Sequence, residues 1–87
     1  MKKQTIALVK EMDFDTCLNF SNKEVNRFCN YIDRRFDKIT SGSLTPKDIV
    51  DDMLLVTCYN TTKPRKSIMV STMCRWLEKG NKKWELS

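Results

Sequence analysis

The sequence predicts an all-α fold, a small compact bundle of three to four helices. Three observations carry that prediction. Apolar residues recur at helical spacing along one face of residues 22–40. Helix-start signals stand at Ser21 and Thr45, each just ahead of an apolar-periodic segment. The chain also holds only two glycines and two prolines, too little turn punctuation for an all-β fold.

The first predicted helix spans residues 22–40. Val25, Phe28, Cys29, Ile32, Phe36 and Ile39 form its inner face. Ser21 caps it and Glu24, three residues on, reaches back to the Ser21 amide, a capping box. Phe20 and Val25 occupy the hydrophobic-staple positions, and Gly42 stands where a left-handed residue ends a helix.

A second helix is expected over residues 46–59. Thr45 caps it, Pro46 fills the first helical position, and Leu44 and Ile49 repeat the staple. Ile49, Val50, Met53, Leu54, Leu55, Val56 and Cys58 leave its second half almost without a polar face, which predicts a buried central helix. A third helix is expected over residues 64–79. Met69, Val70, Met73, Cys74, Trp76 and Leu77 line its inside, and Gly80 is its stop signal. NKKWELS then reads as a short basic tail, with Trp84 able to pack back on the core. TIALVKEM carries no decisive period, so helix and strand both fit; its helical neighbours favour a short N-terminal helix.

Eighty-seven residues make a single domain. A chain of this size buries only about 60–65% of its unfolded surface, so the core is thin. No run approaches the roughly 20 apolar residues of a membrane span, and no signal peptide is visible, so a cytoplasmic location is expected. The triplets at Asn19 and Asn60 then read as chance glycosylation matches. The four cysteines form no CxxC pair and no histidine accompanies them, which argues against a zinc site. Cys29, Cys58 and Cys74 fall on predicted apolar stripes and are expected as reduced core thiols.

The charge is uneven. Residues 1–62 hold nine basic and nine acidic side chains, whereas residues 63–87 hold seven basic and two acidic ones. The whole net charge of +5 therefore lies in Lys63, Arg65, Lys66, Arg75, Lys79, Lys82 and Lys83, set against Glu78 and Glu85. A second basic stripe is expected on the first helix, where Lys23, Arg27, Arg34 and Lys38 share one side with Tyr31. Such surfaces suit an acidic protein, nucleic-acid phosphates or anionic lipid, and also serve plain solubility.

Catalysis is disfavoured, and no cofactor is expected. No histidine is present as general base, and Gly42 and Gly80 alone cannot build a phosphate-binding loop. Asp48, Asp51 and Asp52 stand at a helix start, where the helix dipole accounts for them. A helix-turn-helix DNA-binding regulator is the alternative, with Arg65, Lys66 and Arg75 on the recognition helix. Against it, the connector is long and Ile68–Cys74 offers few side chains for base edges. The leading function is regulatory contact with an acidic protein, docked through the basic face of the third helix and the tail. Met12, Met69, Trp76 and Trp84 are candidates for an exposed patch, although a small core would use most of them itself. Such a patch would suit a homo-oligomer as well as a foreign partner.

The Lys/Asn-rich make-up, with LNFSNKEVNRFCNYIDRRFDKI and LTPKDIVDDML, resembles the cytoplasmic lysis-inhibition regulators of T-even phages over about a third of the chain. The resemblance implies a non-enzymatic antiholin-type protein of the host cytoplasm. Its partner would be the cytosolic part of a phage holin, and it supplies no catalytic residues.

Overall fold

The computed structural model describes residues 2–85, with side chains as far as Lys79. Among these the regular structure is entirely helical: α1 (Lys3–Thr16), α2 (Asn22–Arg34), α3 (Phe36–Thr40), α4 (Pro46–Val56) and α5 (Lys63–Glu85).

The N-terminal segment is a full helix of 14 residues. Its buried side chains are Thr5, Leu8, Val9, Met12 and Thr16, a helical stripe in which threonine stands at both ends. Thr16 returns its hydroxyl to the Met12 carbonyl (2.7 Å). The chain leaves α1 through left-handed Cys17 and Asn19. The Asp13 carboxylate then accepts from the Phe20 amide (2.8 Å), fixing the entry to α2.

The capping box at α2 is complete. The Ser21 hydroxyl accepts from the Glu24 amide (3.2 Å), and the Ser21 amide donates to the Glu24 carboxylate (2.9 Å). Phe20 is buried there and meets Phe28 edge-to-face at 4.9 Å. Tyr59 closes the aromatic trio, 5.6 Å from Phe20 and 5.4 Å from Phe28.

The helix expected over residues 22–40 is broken. Arg35 leaves helical geometry (φ −113°, ψ 15°), and a five-residue α3 follows. The Arg35 guanidinium lies over the Tyr31 ring at 4.0 Å, four residues on, the spacing of neighbours on successive helical turns. Gly42 has φ 80° at the end of α3, as its position predicts.

The helix expected over residues 46–59 ends at Val56. The Tyr59 amide bonds the Leu54 carbonyl (3.0 Å) and the Cys58 amide bonds the Leu55 carbonyl (3.2 Å), a Schellman ending with Cys58 at φ 55°. Burial corrects the reading of a helix covered on all sides: Ile49, Val50, Met53 and Leu54 face the core, while Leu55 is 76% and Val56 58% exposed. The stop expected at Gly80 is also absent. Helix α5 runs through Gly80 to Glu85, so the residues read as a tail are helical in backbone. The packing expected of Trp84 lies outside the described side chains.

Helix α5 packs along both α1 and α4, and α1 also packs on α2. Arg65 reaches the Thr16 carbonyl at the end of α1 (3.3 Å), and Arg75 reaches Glu11 a turn earlier (3.8 Å), so α1 and α5 run antiparallel. Every long helix contributes fully buried side chains to one core: Leu8, Val9 and Met12; Phe28 and Ile32; Ile49, Val50 and Met53; Met69 and Met73. Met12 and Met69 are thus core residues and carry no exposed patch; Trp76 is half-buried. The four cysteines are free thiols. Only Cys29 is buried; Cys74 is half-buried, and Cys17 and Cys58 are exposed, which corrects the core placement of Cys58.

Candidate interaction surface

The basic side chains are distributed over three places. The first is an open groove of about 480 Å³ between α2 and the end of α4. Helix α2 supplies Arg27, Asn30, Tyr31 and Arg34, and Arg35 follows at its cap. Val56, Thr57 and Cys58 form the opposite wall. Amphipathic periodicity puts Phe28, Cys29, Tyr31 and Ile32 inward, which turns Arg27, Asn30 and Arg34 out to solvent.

The groove's floor is a bonded set. The Tyr31 hydroxyl donates to Asp52 Oδ2 at 2.5 Å, and Arg35 Nε lies 3.8 Å from the same oxygen. Burial, then the bond to Asp52, pushes the Tyr31 phenol up to about 12, so it remains a neutral donor through the physiological range. Asp52 therefore neutralises Arg35. Arg27 and Arg34 are exposed and form no ion pair among the described residues. Their charge is left facing the groove.

The second place lies between α4 and the start of α5, where Lys47, Lys63 and Lys66 surround Asp51 in a recess of about 560 Å³. Lys66 is paired with Asp51. The third is the contact of α5 with α1. Arg75 donates to Asp15 Oδ2 at 2.6 Å, beside the buried Thr72 hydroxyl at 2.7 Å from the same oxygen. Arg65 is held on the Thr16 carbonyl.

The residues singled out by sequence thus do not share one face. Arg27, Tyr31 and Arg34 line one groove, but Tyr31 is buried there and does not share the exposed side expected of the stripe. Lys38 is exposed on α3, beyond the break at Arg35, and does not line the groove. Lys66 and Arg75 are paired with acids of α4 and α1, and Arg65 donates to the Thr16 carbonyl, while Lys63 and Lys79 are exposed with neither kind of contact among the described residues. Lys82 and Lys83 lie on the helical backbone, with side chains outside the described ones.

Sequence reasoning missed Arg35, Asp52, Leu55 and Val56. The signal for the apolar pair was available only in part: two aliphatic residues follow Met53 and Leu54 with no polar interruption, so one helical turn cannot face all four inward. Asp51 pairs with Lys66 and Asp52 with Tyr31 and Arg35, and no group of three metal-ligating side chains occurs among the described residues. No described helix is long and apolar enough to cross a membrane. No family model, curated protein or solved structure matches the chain.

Proposed function

We propose that this chain is a non-enzymatic regulatory protein that works by contact with an acidic protein surface, and that its contact site is the α2–α4 groove. One observation carries the reading: Arg27 and Arg34 stand exposed and unneutralised across the groove from exposed Val56. Interface centres are enriched in arginine and depleted of lysine. The recess at Lys47, Lys63 and Lys66 has the less favoured cation and an internal acid already in place. A recognition helix built on Arg65, Lys66 and Arg75 would have to release those side chains from α1 and α4 first. The resemblance to the lysis-inhibition regulators offers one candidate partner, the cytosolic part of a phage holin.

The test is affinity capture from the cell of origin, with each captured protein then purified and titrated. The double variant Arg27→Glu/Arg34→Glu should weaken the partner by at least about tenfold, close to 1.4 kcal/mol. Helical circular dichroism should stay unchanged. Lys63→Glu/Lys79→Glu should have the smaller effect. A partner that responds only to the α5 reversal would move the site to α5.

A further inference from the structure

The two walls of the groove have different chemistry, and together they restrict what fits. On α2, Arg27 and Arg34 are seven residues apart, two helical turns and about 10.5 Å along the axis. Arg35 is committed to Tyr31 and Asp52, so these two guanidinium groups are the cations of that wall without an ion pair among the described residues. On the other wall, the end of α4 presents Val56, with Leu55 beside it in sequence, both largely exposed. A polyanion alone matches the first wall and gains nothing from the second. A purely apolar segment would bury two arginines without a counter-charge, which is costly.

We propose that the groove docks an amphipathic acidic helix of a partner protein. Two carboxylates about seven residues apart meet Arg27 and Arg34, and an apolar side chain between them rests on Val56. Carboxylates at that separation on a helix repeat the 10.5 Å spacing of the two arginines, and each can accept a forked pair of guanidinium hydrogen bonds. This is helix-in-groove recognition with charged flanks. A second copy of the chain is the poorer occupant, because a two-fold contact would bring Arg27 and Arg34 toward their own counterparts. Phosphate chains satisfy the arginines but leave both aliphatic side chains in water. The inference rests on the preceding reading that the chain acts on an acidic protein.

A displayed library of random peptides of about 16 residues, panned against the full chain at physiological salt, tests it. Enriched peptides should carry acidic residues seven apart flanking an apolar one. They should shift the amide NMR signals of residues 27–35 and 55–58. Arg27→Glu/Arg34→Glu and Leu55→Ser/Val56→Ser should each weaken them by about tenfold or more, and both variants carry exposed substitutions whose well-dispersed spectra would verify folding. Acidic peptides that bind Leu55→Ser/Val56→Ser as tightly as the unaltered chain overturn the amphipathic occupant and leave the acidic-partner reading standing. A selection that yields no binder, or only binders indifferent to the arginine reversal, overturns the groove as a docking site. Duplex DNA that shifts the same signals and displaces the peptides reassigns the groove to nucleic acid, and so overturns the proposal.

Discussion

Tyr31 joins the core to the groove in one side chain. Its ring is buried against α2's neighbours, and its hydroxyl reaches Asp52 on α4. Burial raises its phenol to about 12, raises the Cys29 thiol to about 11 with help from Asp33, and raises the Tyr59 phenol. Each group is protonated more tightly in the folded chain than in the unfolded one. Their contribution is therefore complete below the ordinary values of 9 and 10, and is lost as pH rises through the folded values. Urea unfolding followed between pH 8 and 12 should show a flat stability that falls above about pH 9. Tyr31→Phe should flatten part of that fall. At neutral pH it should cost about 1.5 kcal/mol, the low end for a hydrogen bond to a charged group, because Arg35 still accompanies Asp52. Sequence showed Tyr31 among basic neighbours and suggested a partner contact. Its fate depended on Asp52, 21 residues away, and no local pattern encodes that pairing.

The elements were legible where their signals are local. The Ser21–Glu24 box, the Thr45 cap and Gly42 all act within a few residues, and each forms as its spacing predicts. What failed was set by tertiary contact or by cooperativity. The break at Arg35 has no glycine or proline to announce it. Cys58 adopts the left-handed ending usually given to glycine, because the Schellman bonds and the burial of Leu54 beside Tyr59 hold it there. Gly80 costs about 1 kcal/mol inside a helix, yet α5 has already propagated from Lys63, and each added residue gains a hydrogen bond. In α1, threonine at both ends of the buried stripe concealed its helical period. The docking of α1 on α5 turns on Asp15, which serves both the buried Thr72 hydroxyl and Arg75. Asp15→Ala should cost about 0.5–1.5 kcal/mol in chemical denaturation, because the Thr72 hydroxyl keeps the Ile68 carbonyl (2.9 Å) and the half-exposed Arg75 pair contributes little. Arg75→Ala should cost less than Asp15→Ala.

At the scale of the molecule, a radius of gyration of 11.8 Å agrees with the roughly 12 Å expected of 87 compactly folded residues. Helix α5 rises about 35 Å over its 23 residues, comparable with the longest extent of 33 Å, and so acts as the spine on which α1 and α4 lie. One core shared by the long helices predicts one cooperative transition. Phe28→Ala removes the centre of the aromatic trio and should cost about 3–5 kcal/mol, a large part of the stability of so small a domain. Tryptophan fluorescence and far-ultraviolet dichroism should still lose structure together; separated transitions would show that α1–α5 and α2–α4 unfold independently. The charge map was the least legible property. Counting residues placed the excess in the last quarter of the chain, but Asp15 and Asp51 neutralise part of it across 60 and 15 residues of sequence. The unneutralised arginines were left on a stretch whose count summed to zero.

The position of Cys58 has a practical side. Its thiol is exposed on the rim of the groove, as Cys17 is at the end of α1, whereas Cys29 is shielded and hard to ionise. Thiolates are the species that oxidise and couple, so ageing without reductant falls on the two surface positions first. A bridge between the Cys58 residues of two molecules would lay one groove against another and hide both. A preparation could thus lose its binding while every helix stayed intact, and the remedy would be a reducing agent, not refolding.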